Sequence, residues 1–256
     1  MAVDDPRIIR HCAQLDRCNQ RGGRMLSVLD LIDAGTLDLD LAAYLMALIT
    51  RGASFIVGAK PGGAGKTTVM CALLNLIPLD MEIVAATPDA VHRAVRDDTL
   101  PKSCYVCHEI GRGRYFAYLW GADLRAYFSL LDKGHVLATN LHADDLDEAR
   151  EQICTENLVP AAHLNACNLA LFVRMGHRGR GTQRWIEKVY VSDGNSPHRL
   201  VFDAQTTKGH LIVRNDDSVP KGRLTRCRRF LEDALRSNVR TIEETRRRVV
   251  DFLERG

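Results

Sequence analysis

A β-branched apolar run, a glycine-rich turn and a helical pattern follow one another between residues 55 and 77, and few folds accommodate that succession. The run is Phe55-Ile56-Val57, the turn is Lys60-Pro61-Gly62-Gly63-Ala64-Gly65-Lys66-Thr67-Thr68, and the helical pattern runs from Val69 to Ile77. Glycines at 62, 63 and 65 let backbone N–H groups converge on an anion without side chains in the way. A helix opening near Lys66 adds the positive end of its dipole. This strand–loop–helix context is what a phosphate-binding loop of the form G-x-x-x-x-G-K-[ST] requires, with Lys60 standing in place of the first glycine. Such a loop would cradle phosphate oxygens with Pro61, Gly62, Gly63, Ala64 and Gly65. Lys66 would reach the β- and γ-phosphates, Thr67 would place its hydroxyl on Mg²⁺, and Thr68 would complete the motif. ATP and Mg²⁺ are the expected ligands.

The chain has 256 residues, 46% hydrophobic and 26% charged, enough for one large domain or a domain with a small appendage. Its longest apolar run, Leu41 to Ile49, is too short to span a bilayer. Asp4, Asp5 and Arg7 leave the N-terminus without the apolar core of a signal peptide. A cytoplasmic location is expected. The net charge of +3 gives no direct nucleic-acid signal. The 8 cysteines are scattered through strand and helix patterns, as buried thiols of a reduced compartment are.

Residues 1–24 are polar and irregular in pattern, closed by Arg21-Gly22-Gly23-Arg24 like a linker. The N-terminal polar segment is therefore set at 1–26 and the main domain at 27–256. Leu41, Tyr44, Leu45 and Leu48 mark a helix from Asp40 to Thr50. Beyond the loop helix come a strand from Met81 to Ala86, a short helix from Ala90 to Arg96 and a strand from Ser103 to Ile110. A helix from about Leu119 to Asp132 and a strand from Val136 to Leu141 follow. Strands alternating with helices predict an α/β fold with a mostly parallel sheet. After about residue 168 the pattern changes to strands with short turns: Leu169–Arg174, Gln183–Ser192, Leu200–Ala204 and His210–Arg214. They predict an antiparallel extension of the main sheet. Two helices end the chain. The last begins at Thr241 with Glu244 completing a capping box, and its Arg246, Arg247 and Arg248 read as a mostly outward, solvated face.

A phosphate loop alone specifies only a nucleotide. Hydrolysis also needs an acidic group at the end of a neighbouring strand to organise Mg²⁺ and the attacking water. Cys104-Tyr105-Val106-Cys107-His108-Glu109 is an apolar strand ending in a carboxylate, and Glu109 would fall at the carboxyl edge of the sheet, where α/β ligands bind. A second strand ends Ala138-Thr139-Asn140-Leu141-His142. His142 there could hydrogen-bond a γ-phosphate or relay its presence, or serve only as a structural histidine. Cys104 to His108 also matches the C-x-x-C-H pattern of haem attachment, or half a zinc site. Residues three apart on a strand point to opposite faces, so these thiols are read as core.

With their flanks, these elements resemble the secretion and pilus ATPase superfamily, in particular its archaeal type II/IV secretion and archaellum motor members, from about residue 27 onward. Gly65-Lys66-Thr67-Thr68 with Ala72-Leu73-Leu74 is similar to the family's Walker A and its helix, and Leu31 to Thr36 with Ala42 to Leu45 to the helix before it. His108-Glu109-Ile110 sits where the family has its Walker B. Gly134-His135-Val136-Leu137-Ala138-Thr139-Asn140-Leu141-His142-Ala143 resembles its His box, the more specific match. The resemblance implies a RecA-like P-loop NTPase acting as a ring, a hexamer, on a membrane platform protein at the inner face of the cell membrane. It implies Glu109 as the group acting on water and on Mg²⁺ with Thr67, and His142 as a γ-phosphate sensor. The family's "Asp box" after Walker A reads Ala85-Ala86-Thr87-Pro88-Asp89 here, so Asp89 is the candidate for that carboxylate, with Arg93 and Arg96 as remnants of an arginine-bearing segment. Extra residues, including Tyr115-Phe116-Ala117-Tyr118, lie between Glu109 and Gly134, and no counterpart of the family's large N-terminal domain is expected. These departures keep a second expectation open, a non-hydrolysing, nucleotide-dependent assembly or scaffold protein.

Overall fold

The computed structural model describes residues 5–18, 23–178, 181–205 and 219–255. The strand expected at His210–Arg214 lies outside them. Helices α1 (Pro6–Cys18), α2 (Val28–Asp33) and α3 (Leu39–Ile49) precede β1 (Phe55–Gly58) and α4 (Lys66–Leu74). Next come β2 (Glu82–Ala85), α5 (Pro88–Arg96), β3 (Ser103–Ile110), β4 (Tyr118–Leu119) and α6 (Gly121–Ser129). After β5 (Val136–Leu141), α7 (Leu146–Arg150) runs into a π-helical stretch, Glu151–Glu156, and α8 (Ala161–Ala166) follows. Then come β6 (Leu169–Arg178), β7 (Gly181–Val191), β8 (Arg199–Asp203), α9 (Lys221–Arg236) and α10 (Ile242–Glu254).

The strands form one sheet in the order β2-β3-β5-β1-β6-β7-β8, with β4 paired to β3. β2, β3, β5, β1 and β6 are parallel, while β7 and β8 add in antiparallel fashion. This is the mostly parallel sheet with an antiparallel extension that the sequence pattern predicts. β1 is buried throughout because both of its faces are covered. Phe55 and Val57 belong to the core formed with α1 to α4, α9 and α10, and Ile56 to the core formed with α5 to α8. The same alternation separates Cys104 from Cys107 on β3, one in each core. Two sulfurs on opposite faces cannot share a metal ion.

Three expectations need correction. Residues 6–18 are a helix, not an irregular segment. Ile8, His11, Cys12, Leu15 and Cys18 recur at helical spacing and are all buried, but the intervening Arg7, Arg10, Gln14, Asp16 and Arg17 make the segment polar by composition. Nor does Arg246 face outward: it is 3% exposed. Its guanidinium donates to the carbonyls of Asn75 at 3.2 Å, Ile77 at 2.6 Å and Pro78 at 3.2 Å, where α4 ends and leaves acceptors unpaired. The capping box at Thr241 and Glu244 is present as expected. The helix expected from Leu119 starts at Gly121 instead, because Tyr118 and Leu119 pair with Glu109 and Ile110 as β4.

Candidate functional site

The loop leaves β1 at the carboxyl edge of the sheet, and Gly63 and Gly65 take φ values of 83° and 100°. Only glycine adopts these without steric cost, and Gly65 thereby becomes the residue from which α4 starts. Lys60 keeps a negative φ, so the backbone at that position makes no demand for glycine. Its N–H instead donates to Asp144 Oδ1 at 2.8 Å, and its ammonium pairs with Glu148. The loop's entry is thus tied to α7 by the very residue that departs from the motif.

Lys66 is 8% exposed. Its ammonium donates to the Ala59 carbonyl at 2.9 Å and lies 3.6 Å from Glu109 Oε2 and 3.4 Å from His142 Nδ1. Glu109 reaches this point from the end of β3 and His142 from just beyond β5, the two strands beside β1 on that side. His142 Nδ1 is also 3.2 Å from the Lys60 carbonyl, and Nε2 is 3.8 Å from Glu109 Oε2. A protonated Nδ1 donates to that carbonyl and cannot simultaneously accept from Lys66. An unprotonated Nδ1 accepts from Lys66 instead and leaves Nε2–H toward the Glu109 carboxylate.

Burial pushes the Glu109 carboxyl above its ordinary range, and the nearby positive charge of Lys66 and His142 offsets this only in part. Glu109 Oε1 is buried without a hydrogen-bond partner among the described residues. So is Asn140 Oδ1, while its Nδ2 donates to the His108 carbonyl at 2.9 Å and approaches the exposed Thr67 hydroxyl at 3.5 Å. Orphaned buried acceptors of this kind are uncommon in folded proteins, and two of them beside one glycine-rich loop fit a cationic or water-bearing ligand.

The loop, Glu109 and His142 line a cavity of about 590 Å³, within the size range of small-molecule sites. Met25, Leu26 and Thr36 form one wall and Val173, Thr182 and Arg184 another. Cys18 and Cys71 also line it. The Cys18 thiol is pushed down to about 6 by a hydrogen bond from Cys71 and another from His108, against the effect of burial, whereas Cys71 is pushed well up.

Of the residues singled out from sequence, Lys66, Thr67, Glu109 and His142 converge, together with the loop from Pro61 to Thr68. Asp89 does not join them. It is exposed in the first turn of α5, after edge strand β2, with β3 and β5 between it and β1. Arg93 and Arg96 are exposed on the same helix and do not line the cavity. Sequence reasoning missed Asn140, although it stands within the quoted strand end two residues before His142. It also missed Arg184, whose Nε–H donates to the Gly63 carbonyl at 3.0 Å and for which no local motif gives a signal.

No family profile matches the sequence, and no curated protein matches it. Solved structures with a similar fold include the VirB11 ATPase from the Brucella suis type IV secretion system, in complex with sulphate, at 20% identity and a TM-score of 0.46 over 64% of this chain. The ATPase DotB of Legionella pneumophila is 12% identical with a TM-score of 0.45 over 75% of the chain. DotB of Yersinia pseudotuberculosis is 11% identical with a TM-score of 0.46 over 87%. This chain spans 54%, 55% and 62% of those three chains respectively.

Proposed function

We propose that the chain binds MgATP at the carboxyl edge of its sheet and hydrolyses it, as a motor-type subunit of a secretion, pilus or archaellum-like machine. The observation that carries the reading is the meeting of Lys66 with Glu109 at 3.6 Å on the glycine-rich loop. A buried ammonium and a buried carboxylate are thereby held at the mouth of a cavity beside a helix N-terminus. The ring, the hexamer and the membrane platform partner belong to this proposal through the sequence resemblance, as does a place at the inner face of a membrane. Among the described residues no helix is long and apolar enough to cross one.

The residues divide the work by their chemistry. Backbone amides of the loop and the Lys66 ammonium bind and orient the phosphates. The Thr67 hydroxyl and the Glu109 carboxylate would hold Mg²⁺, which when bound neutralises charge on the phosphate oxygens. Glu109 also orients the attacking water and accepts its proton, a role for which a carboxyl raised by burial is suited. In the tautomer whose Nδ1 is unprotonated and accepts from Lys66, His142 can donate Nε2–H to a terminal phosphate. Asn140 Nδ2 places an amide donor beside the Thr67 hydroxyl.

One observation favours the rival reading of a non-hydrolysing assembly protein: Asp89 stands outside the cavity, so among the described residues Glu109 is the carboxylate that lines it. Calorimetric titration with MgATP, and phosphate release, separate the two readings. Lys66→Ala should weaken MgATP binding at least tenfold through loss of a charge-assisted contact. Glu109→Gln should bind ATP and release no phosphate, while Asp89→Asn turns over like the wild type. Binding without phosphate release by the wild type would favour assembly, and unchanged affinity in Lys66→Ala would remove the loop from the site.

A further inference from the structure

β6 does not stop where its neighbour stops. Gly58, the last residue of β1, pairs with Phe172, yet β6 continues to Arg178 with β7 alongside it from Gly181. The residues beyond Phe172 therefore form a two-stranded arm that leaves the sheet at the carboxyl edge, next to the glycine-rich loop. A β-bulge sits at its root, where the pairing steps from Phe172↔Lys188 to Val173↔Ile186 and leaves Glu187 as the extra residue. Glu187 is buried and pairs with Arg174.

That bulge decides which way the arm's side chains point. Before it, Val191 and Val189 face the core that contains α4, and Tyr190 packs against the other. After it the parity is reversed: Ile186 belongs to the α4 side, and Arg184, two residues further, follows it. Without the extra residue the alternation would carry Arg184 to the opposite face. With it, the Arg184 stem lies over Gly65, whose missing Cβ would come within 3.0 Å of Arg184 Cδ. Its Nε–H meets the Gly63 carbonyl at 3.0 Å. A guanidinium has five donors, and no carboxylate pairs with this one among the described residues. A strand, a bulge and a glycine thus hold an arginine on the loop that receives phosphate.

We propose that the β6–β7 arm closes the phosphate end of the site from within the same chain, with Arg184 as a second phosphate-binding cation beside Lys66. This rests on the nucleotide-binding reading above. Nε–H remains on Gly63, fixing the loop and the fork together, and the terminal nitrogens face the polyphosphate. Arginine suits the task because its planar fork matches phosphate oxygens and keeps its charge at any working pH. The site then carries two cations without a contribution from another subunit.

The experiment compares MgATP affinity of the wild type, Arg184→Gln, Arg184→Lys and Lys66→Ala by calorimetric titration, with melting curves for each. Glutamine can still donate to the Gly63 carbonyl but has no charge, whereas lysine retains the charge and loses the fork. Arg184→Gln should weaken MgATP at least tenfold without lowering the melting temperature, and Arg184→Lys should recover part of that loss. If Arg184→Gln binds as the wild type does while Lys66→Ala fails, Arg184 only clips the loop and the proposal is wrong, with nucleotide binding intact. If the wild type binds no MgATP, both readings fall together.

Discussion

Replacing Glu109 with glutamine in the nucleotide-free protein sets two opposing effects against each other. At 3.6 Å from Lys66, the carboxylate gains a gross Coulomb attraction of about 4–5 kcal/mol at an effective dielectric near 20. Desolvating each ion costs several kcal/mol, so the sign rests on which is larger. The carboxyl is raised above its ordinary 4.5, with burial as the largest cause, so desolvation wins. A group whose folded pKa is raised contributes its stability fully below its unfolded value and loses it as pH rises through the folded one. The wild type should therefore lose stability above pH 4.5 in a way that Glu109→Gln, which cannot ionise, does not. Each unit of upward displacement amounts to about 1.4 kcal/mol, or roughly 3–6 °C of melting temperature at this chain length. Melting curves from pH 4 to 7.5 without nucleotide should show the variant equal to the wild type at the acid end and more stable near neutrality. Titrating groups that do not contact Glu109 are common to both proteins and cancel in the difference. A variant that melts below the wild type at pH 7 would mean that the Lys66 pair outweighs burial, and the reasoning would fail.

Two further outcomes are expected. Cys18, whose thiol is pushed down by the hydrogen bond from Cys71, should be the first cysteine alkylated by iodoacetamide at pH 7, because burial pushes Cys12 and Cys107 up to about 12, as it does Cys167, and Cys227 to about 11. Peptide mapping by mass spectrometry reads the order, and MgATP should slow the reaction because Cys18 lines the cavity; an earlier reaction at half-buried Cys154 would refute it. Arg246→Ala should cost about 2–4 kcal/mol in a denaturant titration, since the carbonyls that end α4 lose a charged donor in a buried place, and a change within 0.5 kcal/mol would show that water satisfies them instead.

The parallel part of the sheet was legible because its signals are local. Strands buried on both faces read as short apolar runs, and turn residues separate them from the helices. The two groups that meet Lys66 were legible for a related reason: a parallel sheet brings the carboxyl ends of neighbouring strands to one edge, so Glu109 and His142 could be placed there without knowing any distance. Asp89 was misplaced by the same logic, since its strand also ends at that edge. What places it outside the cavity is strand order, with β2 at the margin, and order is fixed by packing across the whole domain. Helix α1 was hidden by composition, because five buried positions in 13 residues leave most of the segment polar.

Arg184 illustrates a limit of another kind. Along β7 the period of two is the only guide to which side a residue faces, and one unpaired residue inverts that assignment for everything beyond it. Nothing in Gly181-Thr182-Gln183-Arg184-Trp185-Ile186-Glu187-Lys188 announces the extra residue, because a bulge is defined by the partner strand and not by the strand that bears it. The same is true of Lys60. The motif asks for glycine there, and the negative φ of the folded loop removes the reason for it. A lysine in that position then gains something glycine could not, an ion pair with Glu148 on the helix that follows His142. The departure thus ties the phosphate loop to the helix that follows the strand end carrying His142.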